Sequence, residues 1–354
     1  CSADLLIVDK PGGVKTDVEL VRLAGLADRA QDEGAIDLAL KFRAQASARA
    51  DELSAKVDET EANLRQDRIQ IGETYAEHAR TAVLNFDFPT AAEMWGKAYE
   101  QVAKWDDKLA LTYKWREADA LSDLGGFKGD NGALQQAIDT YGDALKLATE
   151  RSDDWANIRN ATGNTWSTLG QRQSEAASLE QAVAAYEDAL TVKTREHDAH
   201  DWAGTTSNLA VALMYLGQRE EGTDKLEAAQ QSFTDAPDAM DKEAQPLDWG
   251  HLQGNLGSVL LMLGDRTGNP DLLRQAADAN KAALEVLTRD KAPLDWALAE
   301  TDYAQALADL AQSAQDRSSG KILDEAIHAF DAALEERTQQ KVPLDWAMTE
   351  DSLG

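Results

Sequence analysis

Pro293-Leu294-Asp295-Trp296-Ala297 is the stretch that decides the fold, because its Asp-Trp pair recurs along the chain. The other copies stand at Asp154-Trp155, Asp201-Trp202, Asp248-Trp249 and Asp345-Trp346. Successive tryptophans are 47, 47, 47 and 50 residues apart. A fixed period of this length indicates a repeat architecture, in which each unit buries its apolar face against its neighbours.

Each Asp-Trp pair is predicted to open a helix. Pro293 cannot extend a helix backwards, and the Asp295 carboxylate can accept a free N–H of the first turn as N-cap. Leu294, just before that cap, can pack onto the first turn. Trp296 then stands at the first helical position, where we expect it to pack against the preceding helix pair.

Two further features keep the same register. Leu-Gly begins 14 residues after the tryptophan at Leu169-Gly170, Leu216-Gly217 and Leu263-Gly264. An aromatic ring follows 31 residues after the tryptophan at Tyr186 and Phe233, and 34 residues after it at Phe330, where the unit is three residues longer. Apolar residues between these markers recur every three or four positions, which is typical of amphipathic helices. Each unit is therefore predicted to contain two helices, the first of which stops at the glycine of Leu-Gly.

The small-residue pattern resembles that of the tetratricopeptide repeat family over roughly residues 20–354. Ala91, Trp95 and Ala98 match the small, aromatic and small positions of that family's second helix, and Ala79 and Ala82 match small positions of its first. The period departs from the family's usual repeat of roughly 34 residues. The resemblance, of a bacterial type, implies an all-α, right-handed superhelical solenoid of antiparallel helix pairs. It also implies protein or peptide binding in a concave groove lined by the first helices.

The register also divides the chain. The predicted segments are a leader or remnant of a preceding segment at 1–16, N-terminal helices with a degenerate repeat at 17–69, repeats at 70–105, 106–152, 153–199, 200–246, 247–293 and 294–343, and the start of an incomplete repeat at 344–354. The last segment lacks the polar capping helix that ends most repeat arrays. We therefore expect a longer natural protein, or a C-terminus that packs on a partner or on a second copy.

Composition narrows the class of partner. The chain has 35 basic and 64 acidic residues, a formal charge of −29, so phosphate backbones and anionic membranes repel it. A basic or polar protein or peptide suits it better than nucleic acid, although such charge also keeps a helical rod soluble. Cys1 is the single cysteine, which excludes an internal disulfide. No apolar run approaches the roughly 20 residues of a transmembrane helix.

The candidate binding residues lie on the predicted first helices. Asn157, Asn160 and Asn164 are spaced by three and four residues, and amides on one helix face can hold an extended peptide backbone. The alternative is that they cap turns or bridge adjacent helices. The corresponding positions of the later units are Ser207, Tyr215, His251, Ser258, Thr301 and Gln305.

Catalytic, cofactor and metal sites are not predicted. His197-Asp198-Ala199-His200-Asp201 carries zinc-ligand residue types, but it is better explained as a turn between repeats. The glycine-rich stretch 125–132 lacks the Gly-Lys-Ser/Thr ending of a phosphate loop, so it is also interpreted as a turn. No catalytic motif is found, and an enzyme is not expected.

Three hypotheses about function follow. The first is a cytoplasmic scaffold whose groove binds a partner protein or peptide, possibly a basic one. The second is the sensor or regulatory arm of a larger bacterial signalling or defence protein. The third is a periplasmic or surface lipoprotein anchored through Cys1.

Overall fold

The computed structural model describes residues 17–54, 61–236, 242–314 and 319–353. All secondary structure in these ranges is helical. The helices are α1 (Val18–Asp32), α2 (Ile36–Ser54), α3 (Glu61–Leu84), α4 (Phe88–Val102), α5 (Asp107–Lys128), α6 (Asn131–Leu147), α7 (Asp153–Arg172), α8 (Ala177–Leu190), α9 (Ala199–Arg219), α10 (Asp224–Asp235), α11 (Pro246–Thr267), α12 (Pro270–Leu284), α13 (Pro293–Ala314), α14 (Ser319–Leu334) and α15 (Pro343–Leu353). The predicted leader segment and Cys1 lie outside the described residues.

The chain divides into two compact units. Unit 1 covers Cys1–Glu150 and contains α1 to α6, and unit 2 covers Arg151–Gly354 and contains α7 to α15. Within each unit, consecutive helices joined by short turns pack side by side as antiparallel pairs. In unit 2 the first helices of successive pairs, α7, α9, α11 and α13, also contact one another. Each unit is therefore a stack of helix pairs, and the division into repeats at the bounds given above stays a prediction.

The aromatic rings at the predicted slot are core residues. Tyr186, Phe233 and Phe330 are buried in second helices. In α12 the same slot holds Asn280, which is also fully buried. Its Nδ2 donates to the Ala276 carbonyl at 3.1 Å. The sequence pattern did not single out this polar substitution of a ring.

The glycines of Leu-Gly do not stop the first helices, so that prediction is wrong. α9 runs past Gly217 to Arg219, and α7 and α11 continue past their glycines in the same way. A Cβ on Gly217 would lie 2.7 Å from Cγ of Leu226, a buried residue of the next helix. The glycine is needed because the paired helix packs directly on its Cα. The same contact joins Gly125 to Leu134, Gly170 to Leu179 and Gly264 to Leu273.

Arginines connect one helix pair to the next. Arg219 at the end of α9 donates to the carbonyls of Gly170 at 2.7 Å and Glu175 at 2.8 Å. Arg266 at the end of α11 donates to the carbonyls of Gly217 at 2.8 Å and Gly222 at 2.6 Å. The last carbonyls of a helix lack partners inside it. Each arginine therefore satisfies the end of the preceding first helix and fixes the spacing between pairs.

The Asp of the Asp-Trp pair is not the N-cap, contrary to the prediction. Ser152 caps α7 by accepting from Trp155 N–H, and Asp198 caps α9 by accepting from Asp201 N–H. α11 and α13 begin at Pro246 and Pro293, two residues before their Asp. Proline fits the first helical position, so each helix starts earlier than predicted. The Asp then lies in the first turn, where a negative charge favours the positive helix end.

Trp202, Trp249 and Trp296 of the pairs are half-buried and lie beneath cations. Arg195 covers Trp202 and Arg289 covers Trp296, at 5.5 and 5.7 Å from the ring centroids. Lys242 lies 4.1 Å from the centroid of the Trp249 ring. These cations belong to the segment that joins a second helix to the next first helix. Cation–π attraction therefore holds that segment onto the new helix, at about 0.5–1 kcal/mol for each pair.

No helix in the described part of the chain combines the length and the apolar character that a membrane crossing requires.

The glycine contact predicts opposite effects for two alanine substitutions in α9. Gly217→Ala should lower the free energy of unfolding by about 1–3 kcal/mol, because its Cβ would overlap buried Leu226. Gly204→Ala is the control, since nothing lies within 4 Å of a Cβ there, and it should gain about 1 kcal/mol of helix propensity. Urea unfolding checks both variants. Changes of the same sign in the free energy of unfolding of the two variants would contradict the contact between Gly217 and Leu226.

Candidate protein-binding face

The nine candidate residues lie on one side of four successive first helices of unit 2. α7 carries Asn157, Asn160 and Asn164, α9 carries Ser207 and Tyr215, α11 carries His251 and Ser258, and α13 carries Thr301 and Gln305. Their spacings along each helix follow the period of 3.6, which places them on a common side. We call this surface the first-helix face.

The α7 amides are partly accessible and partly engaged. Asn157 and Asn160 are half-buried, and Asn164 is exposed. Asn164 Oδ1 accepts from the Tyr186 hydroxyl at 2.7 Å, and Asn160 Oδ1 accepts from Asn208 Nδ2 at 3.3 Å. The bridging alternative therefore describes two of the three amides. Both bonds use the side-chain oxygens, whereas a peptide carbonyl would need the NH₂ donors.

Polar contacts on this face couple the first helix α11 to the first helix α13. Exposed His251 of α11 lies with Nε2 3.2 Å from Asp295 Oδ2 of α13. Ser258 donates to the Asp302 carboxylate of α13, and to the Gly254 carbonyl at 3.2 Å. Both contacts join α11 to α13, so this part of the face is a connected surface.

The remaining candidates differ in their burial and in how far their polar groups are already hydrogen-bonded. Ser207 is half-buried, and half-buried Tyr215 packs against the core cluster shared by α9 to α11. The Thr301 hydroxyl donates to the Ala297 carbonyl at 2.8 Å, so it is engaged within its own helix. Gln305 Nε2 donates to both Asp309 oxygens at 3.1 Å. The Gln305 NH₂ group is therefore engaged, and the acceptors at this position are the Asp309 carboxylate and the Gln305 carbonyl oxygen.

Three carboxylates on this face were missed by the sequence prediction. Burial, with the neighbouring Asp309 charge as a second cause, raises the pKa of Asp265 to about 6. Burial raises the pKa of Asp302 to about 6, against the opposing effect of the Ser258 hydrogen bond. Asp265 lies two turns after Ser258, and Asp309 lies one turn after Gln305. Continuing the helical period one or two turns beyond Ser258 and Gln305 would have found Asp265 and Asp309.

The two other stretches considered above lie only partly in turns, because 199–201 belong to the start of α9 and 125–128 to the end of α5. His197 Nε2 is 3.3 Å from Asp153 Oδ1, and the His200 ring pairs with Gln245 at 3.3 Å. The glycine-rich stretch 125–132 includes the turn between α5 and α6, in which Gly129 adopts a left-handed conformation.

No protein-family model matches the sequence, and no curated protein matches it. Solved structures do match. The C-terminal part of a TPR repeat-containing protein from Cytophaga hutchinsonii is 14% identical, with 90% of this chain and 98% of that chain covered and a TM-score of 0.53. BtubC from P. vanneervenii is 19% identical over 75% of this chain and 92% of its own, with a TM-score of 0.47. A Rap protein complexed with competence and sporulation factor is 13% identical over 95% of both chains, with a TM-score of 0.45.

The likeness to the Cytophaga protein shows the fold alone, because identity is low. With the helix pairs described above, it confirms the expected fold class, an all-α tetratricopeptide-like solenoid.

The raised pKa of Asp302 predicts a pH dependence of stability. A carboxyl with a folded-state pKa near 6, above its ordinary 3.8, binds more protons when folded, so stability rises as the pH falls through 6. Asp302→Asn should therefore be more stable than the wild type at about pH 7.5, and the difference should shrink towards about pH 4.5. Thermal unfolding across this range measures it. Asp331→Asn, at an exposed position of α14, is the control, and a constant Asp302→Asn difference would contradict the account.

Proposed function

We propose that this protein is a protein-interaction scaffold whose first-helix face in unit 2 binds an extended segment of a partner protein. The observation that carries the proposal is the row of polar, partly accessible side chains repeated on one side of α7, α9, α11 and α13. A face with donors and acceptors at regular intervals suits a peptide backbone, which offers both along its length.

The ordering of the face supports this proposal. Bonds between neighbouring first helices hold several of the side chains in place, such as Asn208 to Asn160 and Ser258 to Asp302. Side chains that are already ordered lose less conformational entropy when a partner binds. The face is therefore suited to binding without large rearrangement.

Charge supports a basic partner. Asp265, Asp302 and Asp309 lie on the α11 and α13 part of the face. A lysine or arginine placed there would compensate Asp265 and Asp309, since burial and, second to it, the Asp309 charge raise the pKa of Asp265. The amide-rich α7 part would then hold the backbone, and the acidic part would select the side chain. The regulatory-arm and lipoprotein hypotheses stay predictions.

Peptide binding to a double variant of the α7 amides tests the proposal. We expect a fluorescein-labelled basic peptide, selected from an array of equal-length basic, neutral and acidic sequences, to bind the wild type. Asn157→Ala with Asn160→Ala should weaken that binding about tenfold, since each lost hydrogen bond contributes about 0.5–1.5 kcal/mol. Fluorescence anisotropy gives the dissociation constants.

Gln181→Ala supplies the matched control, because Gln181 is an exposed amide on the second helix α8. It should bind as the wild type does. Wild-type affinity in the double asparagine variant, or a preference of the array for acidic peptides, would reject this face as the binding surface.

A further inference from the structure

Three phenylalanines form a cluster at one edge of unit 1, at the turn between α3 and α4 and the end of α5. The rings of Phe88 and Phe127 stack with centroids 5.3 Å apart. Phe86 meets both of them edge-on, at 6.1 and 6.2 Å. Phe88 is buried beneath, but Phe86 and Phe127 are 68% and 69% exposed. We call these residues the phenylalanine cluster.

Phe86 occupies a backbone position that suits glycine. Its φ of 57° is left-handed, a region that is unfavourable for a bulky side chain. The corresponding position, two residues before the second helix of the pair, is Gly34 in the α1–α2 turn, Gly129 in the α5–α6 turn and Gly268 in the α11–α12 turn. The chain therefore carries a phenylalanine where three comparable turns carry glycine.

Stability of the isolated unit does not explain this residue. A left-handed conformation costs a non-glycine residue about 1–2 kcal/mol. A ring that is two-thirds exposed recovers little of that cost by burial, since its main contacts are two other phenylalanines. Strained residues that break a local rule without a folding gain are concentrated at functional sites. The exposed ring of Phe86 therefore suits an external contact.

The charges around the cluster indicate what it contacts. Asp87 follows Phe86, Asp123 precedes Phe127 by one helical turn, and Asp130 lies in the adjacent turn. Exposed Lys128 is the cation among these neighbours, so the surroundings are acidic on balance. Arginine matches both features, because its guanidinium stacks on aromatic faces and pairs with carboxylates. A second copy of a chain with a charge of −29 is a poor match.

We propose that the phenylalanine cluster is a second docking surface, separate from the first-helix face, which binds an arginine-bearing segment of a partner protein. The guanidinium lies over the exposed rings of Phe86 and Phe127, and its charge is balanced by Asp87, Asp123 and Asp130. The aliphatic stem of the arginine packs against the ring edges.

The test measures binding and folding in the full chain. The probe is a short fluorescein-labelled peptide with two arginines flanking a leucine, compared with the same peptide carrying lysine or glutamate instead. The arginine peptide should bind most tightly and the glutamate peptide not at all. Phe86→Gly and Phe127→Ala should each weaken arginine-peptide binding at least about tenfold, and Phe86→Gly should keep or raise the unfolding midpoint.

Leu38→Ala is the matched control, because Leu38 is an exposed apolar residue of α2 in the same unit. Gln181→Ala, at an exposed amide of α8 outside both proposed surfaces, is a second control, and both variants should bind the arginine peptide as the wild type does. Four results would overturn the proposal: no arginine-peptide binding by the wild type, equal binding of the lysine or glutamate peptide, wild-type affinity in Phe86→Gly, or a lower unfolding midpoint in Phe86→Gly. Sedimentation that shows a wild-type dimer lost in Phe86→Gly would instead assign the cluster to self-association.

Discussion

The contact between a glycine of one helix and a leucine of the next determines the geometry of each pair in which it occurs. Leu134, Leu179, Leu226 and Leu273 pack directly on the Cα of Gly125, Gly170, Gly217 and Gly264. Because no side chain separates the two helices there, the second helix approaches the first closely. Arg219 and Arg266 then join the ends of the first helices to the following pair. Close contact between the helices of a pair and arginine hydrogen bonds between pairs together define the stack.

The candidate binding surface depends on that stacking. Stacking brings each first helix against the next with an offset along the helix, so Ser258 of α11 reaches Asp302 of α13. The composition of the face changes along the stack, from the amides of α7 to the carboxylates of α11 and α13. Under the proposed function, this change sets the direction of the partner segment, with its backbone on the amides and a basic side chain near Asp265 and Asp309.

Sequence reasoning predicted the fold class because the Asp-Trp spacing and the helical period are local signals. It misplaced the helix starts, since Pro246 and Pro293 occupy the first helical position and move each Asp into the first turn. It interpreted Gly217 as a helix stop because the leucine that requires it belongs to another helix. It did not single out Asn280, which breaks the aromatic pattern. The face was predicted from periodicity, but its bonds to neighbouring helices depend on how those helices are offset, and the left-handed conformation of Phe86 has no sequence signature.

Carboxyl footprinting of unit 2 tests the central claim most directly. Carbodiimide labelling in the presence and absence of a bound basic peptide reports which carboxylates the partner covers. The account predicts that the peptide protects Asp265 and Asp309 on the first helices, while Glu187 of α8 and Asp331 of α14, which are exposed on second helices, keep their labelling. Protection of Glu187 and Asp331, with Asp265 and Asp309 labelled as in the free protein, would contradict it.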